Sequence, residues 1–199
     1  LNPSINFSHI DDRLVITDDL SNIYSLNIDD GSLIWKKKNS SSFNSQIKIY
    51  KKKIYTIDYE NILRCFSLSD GKEIWNFKGE NSLIKKNKKS SLVLDENNVI
   101  FINEVGDVNA IDLSSGNLIW QTPTQSIAIY EDSFSYIYSN IVLDEQSIYF
   151  SNNKNEFFAL NSKNGFVKWK QNLSTILPPI IINNIVFTIS DNGYLAILD

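Results

Sequence analysis

The sequence of 199 residues contains one cysteine, one histidine and no methionine. A single cysteine, Cys65, excludes an internal disulfide and a cysteine-built zinc site. A single histidine, His9, excludes the usual histidine metal clusters and most catalytic dyads. No apolar run reaches about 18 residues, so no helix of this sequence spans a membrane. Without methionine, Leu1 is not a natural translation start, and the sequence is expected to be a piece of a longer or processed polypeptide. There are 7 glycines against 25 asparagines, and asparagine is expected to fill turn positions because it tolerates positive φ. Only two arginines accompany 17 lysines and 29 isoleucines, a bias of AT-rich genomes rather than a physical requirement. The net charge of −4 argues against a nucleic-acid partner, which calls for a basic face.

What is present is a repeat. The hydrophobic share of 42% is that of a globular protein. The four tryptophans fall at Trp35, Trp75, Trp120 and Trp169, and each follows a glycine by four residues: Gly31, Gly71, Gly116 and Gly165. The local strings are DDGSLIW, SDGKEIW, SSGNLIW and KNGFVKW. Their spacings of 40, 45 and 49 residues are those of a propeller or another repeat array.

Each unit reads as four short strands separated by Gly, Asn, Asp and Ser, with no segment of helical period. The expected fold is all-β: a propeller of four-stranded antiparallel blades in a single domain spanning residues 1–199. The blades cover about 5–37, 45–77, 91–121, 140–170 and 179–199. The last lacks its fourth strand, so the ring is expected to be incomplete, four blades plus most of a fifth. Glycine at the third turn supplies positive φ, and tryptophan on the fourth strand packs between neighbouring blades. The slot six residues before that glycine holds Ser25, Cys65, Ala110 and Ala159, so Cys65 reads as a small buried side chain rather than a reactive thiol.

AIDLSSGNLIW and ALNSKNGFVKW, with the looser SLNIDDGSLIW and CFSLSDGKEIW, resemble the repeat of the quinoprotein-type, PQQ-like β-propeller family. The resemblance covers essentially the whole chain and is closest in kind to the outer-membrane barrel-assembly lipoproteins of the BamB type. That resemblance implies a non-enzymatic interaction scaffold in the periplasm, without cofactor, held at the outer membrane through a lost N-terminal segment. An alternative is a ligand-sensing or carbohydrate-binding propeller domain of a surface protein. A quinoprotein dehydrogenase fragment is disfavoured. Members of that kind hold pyrroloquinoline quinone with calcium, some on a vicinal disulfide that one cysteine cannot make.

No catalytic, cofactor-binding or metal-binding residue is assigned. His9, beside Ile10, Asp11 and Asp12, reads as a surface or turn histidine at the first turn, with nothing to make a nucleophile elbow. The acidic pairs Asp11-Asp12, Asp18-Asp19 and Asp29-Asp30 lack the alternating oxygen ligands of a calcium loop. The lysine runs at 36–38, 51–53 and 85–89 read as solvated turns, with an anionic lipid or acidic partner as the other use.

One irregularity points to a partner. Thr122 to Ser139, TPTQSIAIYEDSFSYIYS, makes the third tryptophan spacing nine residues longer than the shortest. A connection this apolar either packs down or binds. If it binds, Tyr130, Phe134 and Tyr136 are the anchors for a protein partner of unknown identity. The open blade edges are expected to self-associate.

Overall fold

The computed structural model describes residues 5–79, 89–124 and 137–198, and among these every regular element is a strand. Blade 1 comprises β1 (Asn6–Ile10), β2 (Arg13–Thr17), β3 (Asn22–Asn27) and β4 (Leu33–Lys38). Blade 2 comprises β5 (Lys48–Tyr50), β6 (Lys53–Ile57), β7 (Ile62–Ser67) and β8 (Glu73–Lys78). Blade 3 has β9 (Leu92–Leu94), β10 (Asn98–Ile102), β11 (Asp107–Asp112) and β12 (Leu118–Pro123). Blade 4 has β13 (Val142–Asp144), β14 (Ser147–Asn152), β15 (Glu156–Asn161) and β16 (Val167–Gln171). A fifth sheet joins β17 (Ile180–Ile182), β18 (Ile185–Ile189) and β19 (Leu195–Leu198). Each sheet is a meander in chain order, and every pairing is antiparallel. The first strands approach one another, β1 beside β5, β5 beside β9 and β9 beside β13, so the blades fan out from an axis as in a β-propeller.

The core lies between blades. Val15, Ile23 and Trp35 of blade 1 pack on Phe43, Ile54 and Phe66 of blade 2. Tyr55, Leu63 and Cys65 pack in turn on Val99, Phe101 and Ile111 of blade 3. Ile100, Val108 and Ala110 meet Ile148, Phe150 and Leu160 of blade 4. A sheet two residues periodic in side-chain direction has two faces, and an interior blade buries both. Burying each such Leu, Ile or Phe contributes about 1.5–3 kcal/mol.

The fourth strand carries a bulge in every complete blade. The register shifts between Ser25 and Leu26, Cys65 and Phe66, Ala110 and Ile111, and Ala159 and Leu160. One extra residue on the outer strand thereby sets Trp35, Trp75, Trp120 and Trp169 opposite the four small residues. The small slot exists because an indole lies across from it. The bulge also turns successive residues outward, so Leu33 and Ile34, and likewise Leu118 and Ile119, are exposed.

One local expectation is corrected. His9 lies within β1, exposed and paired with Leu14, rather than in the turn that follows. The turn is formed by Asp11 and Asp12, with Asp11 at φ 49°.

Candidate functional site

The repeated glycine and tryptophan form one cross-blade lock. Trp35 Nε1 donates to the Leu68 carbonyl at 3.0 Å, Trp75 Nε1 to Leu113 at 3.2 Å and Trp120 Nε1 to Ser162 at 3.1 Å. Each acceptor stands three residues before the glycine of the next blade. The indole ring also occupies the space a side chain would need there. A Cβ on Gly71 would lie 2.6 Å from Trp35 Cε3, and one on Gly116 2.7 Å from Trp75 Cδ2. Among the described residues no blade precedes Gly31, and nothing lies within 4 Å of its notional Cβ. Trp35 is buried, and Trp75, Trp120 and Trp169 are half-buried at the outer rim. Trp169 stacks on Phe157 with ring centroids 5.8 Å apart.

Cys65 sits in the blade 2–3 interface, fully buried, and that burial pushes its thiol up to about 12. It is an inert core side chain at any physiological pH. On the same side of the blades, Asp112 caps the third turn of blade 3. The Ser114 hydroxyl, the Ser115 N–H and the Ser115 hydroxyl hold its carboxyl down to about 2.

The opposite face is made by the turns between second and third strands, and its organising residues are invisible to the repeat consensus. Asp18, Asp58, Asn103 and Asn152 follow or end the second strands of blades 1 to 4. Each side-chain oxygen accepts from backbone N–H groups of its own turn: Asp18 from Leu20 and Asn22, Asp58 from Glu60 and Ile62, Asn103 from Asp107, and Asn152 from Lys154 and Glu156. Burial opposes the charge of Asp18, but the donors from Asn22, Tyr24 and Leu20 outweigh it and lower its pKa. In blade 2 the cap anchors a partly buried ion cluster. Arg64 Nε lies 2.7 Å from Asp58 Oδ2, and Nη1 lies 2.7 Å from Glu73 Oε2. The Asp58 side chain is fully buried. The only sequence signal for these caps is an Asx at the end of each second strand.

This face also carries both feet of the apolar connection after blade 3. Thr124 is buried, and its hydroxyl donates to the Gly106 carbonyl. On the far side Ile137 N donates to Asn153 Oδ1 at 2.9 Å, Tyr138 packs on Phe150, and Ser139 pairs with Ser151. The connection therefore leaves beside the blade 3 turn and returns on the blade 4 turn. Its proposed anchors Tyr130, Phe134 and Tyr136 lie outside the described residues. So do residues 85–88 of the third lysine run, whereas Lys36–Lys38, Lys51 and Lys52 are exposed.

A family model described as outer membrane protein assembly factor BamB matches residues 7–199. No curated protein matches the chain in sequence. Among solved structures, BamB from Moraxella catarrhalis superposes with a TM-score of 0.80 at 16% identity, covering 98% of this chain and 60% of that one. The computationally designed Ika8 protein gives 0.76 at 11% identity over 96% of this chain and 56% of that one. The quinohemoprotein alcohol dehydrogenase ADHIIG from Pseudomonas putida HK5 gives 0.72 at 14% identity over 97% and 40%. At such identities the likeness establishes the propeller fold alone, and the chain spans three fifths or less of these proteins.

Quinone chemistry makes demands that the donor set does not meet. Among the described residues no three His, Cys, Asp or Glu side chains are grouped to hold a metal ion. The one thiol is sealed between blades, and the one histidine lies on a strand of blade 1. The described residues do not fit a pyrroloquinoline quinone and calcium site.

Proposed function

The chain belongs to the family of the outer membrane protein assembly factor BamB, and on that premise we propose that it is a non-enzymatic protein-interaction scaffold serving outer-membrane protein assembly from the periplasm. The observation that carries the reading is the family match across residues 7–199, which spans all five sheets. The turn caps support it physically. They fix the face of the second turns by hydrogen bonds within each turn, and a rigid face presents a partner surface without a large ordering cost. The connection held at Thr124 and Ile137 is the contact element, with Tyr130, Phe134 and Tyr136 as its aromatic anchors.

Cross-linking from this face tests the proposal. A photo-reactive residue at Leu20 or Ile137, both exposed, is expected to capture a component of the outer-membrane assembly machinery in periplasmic extracts. Replacing Tyr130, Phe134 and Tyr136 together with serine should reduce that capture and leave the unfolding midpoint within a few degrees. Stoichiometric quinone absorbance after reconstitution with pyrroloquinoline quinone and calcium, accompanied by dye reduction with an alcohol, would replace the scaffold by the dehydrogenase reading.

A further inference from the structure

We propose that the outer hairpins of blades 3 and 4 form a docking ridge for an anionic phospholipid surface. The ridge is apolar at its crest. Phe166 is 73% exposed, Val167 48%, Leu118 44% and Ile119 47%. Trp120 ties the two hairpins together: it adjoins Ile119 in sequence, and its ring lies against Gly165, the residue before Phe166. Scattered exposed apolar residues are ordinary, but a joined patch led by an aromatic side chain marks an interaction site.

The crest is also held rigidly. Trp120 Nε1 donates to the Ser162 carbonyl, and Thr122 Oγ1 donates to the Gly165 carbonyl at 2.7 Å. Together with the ring against Gly165, these contacts hold the backbone that presents Phe166. A fixed exposed aromatic enters an apolar phase with little ordering cost.

Charge selects the partner. The corresponding hairpins of blades 1 and 2 set Asp29, Asp30, Asp70 and Glu73 against Lys36, Lys37 and Lys72, so neither is net positive. From Leu113 to Gln121 and from Ser162 to Gln171 there is no carboxylate, and the second hairpin carries Lys163, Lys168 and Lys170. Asp112, at the base of the first, is wrapped by Ser114 and Ser115. Lys170 pairs with Glu156, whereas among the described residues Lys168 Nζ meets a hydroxyl, Ser147 Oγ at 2.6 Å, and Lys163 is exposed. Consecutive exposed residues on a hairpin tip present a convex surface. A convex tip of aromatic and lysine side chains fits the flat, negatively charged interface of a bilayer, where an aromatic ring seats at headgroup depth and lysines add attraction.

Sedimentation of the 199-residue chain with vesicles decides the matter. Binding is expected to vesicles of phosphatidylcholine containing phosphatidylglycerol, and to weaken as salt is raised. Phe166→Ser should lower the partition coefficient about tenfold, and Lys163→Gln about fivefold. Phe166→Trp should bind as the parent does and show a blue-shifted emission on the vesicles. Leu195→Ser, on the outward face of blade 5, should change nothing. The proposal is overturned if the parent chain does not sediment with the anionic vesicles, which would leave the ridge to an acidic protein surface. It is equally overturned if phosphatidylcholine alone binds as well, or if Leu195→Ser matches or exceeds the loss from Phe166→Ser.

Discussion

Tyr55, Ile57, Leu63 and Cys65 of blade 2 and Phe187, Ile189, Leu195 and Ile197 of blade 5 occupy equivalent places on the second and third strands, by their pairing registers. The first four are buried to within 1% of completely. Of the second four, Ile189 is 48% exposed, Leu195 64% and Ile197 60%, with Phe187 half-buried. Both sets are apolar. What differs is the presence of a following blade among the described residues. Apolar residues in a propeller are thus committed to the interface and not to the sheet. The slot opposite the tryptophan marks the same contrast, small at Cys65 and large at Ile197. Blade 1 repeats it on its other face, where Ile5 and Phe7 are 56% and 71% exposed.

If interfaces carry the stability, removing a lock must cost far more than altering the outward face. Trp120→Ala removes a ring that packs on blade 4 and a hydrogen bond to Ser162, and should cost roughly 3–5 kcal/mol in denaturant unfolding. Leu195→Ser should move stability by less than about 0.5 kcal/mol and reduce concentration-dependent association in sedimentation velocity. Equal losses from the two variants would break the comparison.

Arg64→Ala probes the blade 1–2 boundary, where Arg64 Nη2 also donates to Ser40 Oγ, just after blade 1, at 3.2 Å. It leaves the Asp58 carboxylate buried without its cation, and loss of about 3 kcal/mol is expected. Arg64→Lys should restore only part of this, because lysine cannot bridge Asp58 and Glu73 through two different nitrogens. Full rescue by lysine would show that charge alone matters at that boundary.

The glycines sharpen the same contrast at matched backbone geometry. Gly31 and Gly116 have φ of 71° and 76°. Alanine at Gly31 meets nothing and should cost only the conformational penalty, about 1–2 kcal/mol. Alanine at Gly116 must also displace the Trp75 ring, adding about 1–3 kcal/mol. Equal costs in paired unfolding curves would mean that the ring gives way freely.

Much of this was legible in the sequence because it rests on residue types that have few substitutes. A glycine at positive φ and an indole at fixed spacing declare the blade, and the small slot placed Cys65 in the core. The acceptors of the tryptophan locks were not legible, because a backbone carbonyl has no letter of its own: Leu68, Leu113 and Ser162 share no side-chain chemistry. The bulge before each tryptophan was hidden likewise, since LIW reads as an ordinary strand end. The Asx caps were visible as letters but not as roles among 25 asparagines. The role of Arg64 was not legible because its partners, Asp58 and Glu73, lie six and nine residues away, in the preceding turn and on the following strand.

A gain rather than a loss is expected at the first of the four small slots. Ser25 faces Trp35 as Ala110 faces Trp120 and Ala159 faces Trp169. It is fully buried, and its Oγ has no hydrogen-bond partner among the described residues. A buried hydroxyl without a partner has lost its water and gained nothing in exchange, at a cost of about 1–3 kcal/mol. Alanine removes that oxygen and leaves a cavity no larger than the atom lost, which offsets part of the gain. Ser25→Ala should therefore stabilise the chain by about 1 kcal/mol, read as a raised denaturation midpoint at unchanged slope. The reverse change at the equivalent position, Ala110→Ser, should destabilise by a similar amount. If Ser25→Ala instead destabilises, the hydroxyl is satisfied in solution, and the slot in blade 1 differs from the others in chemistry as well as in size.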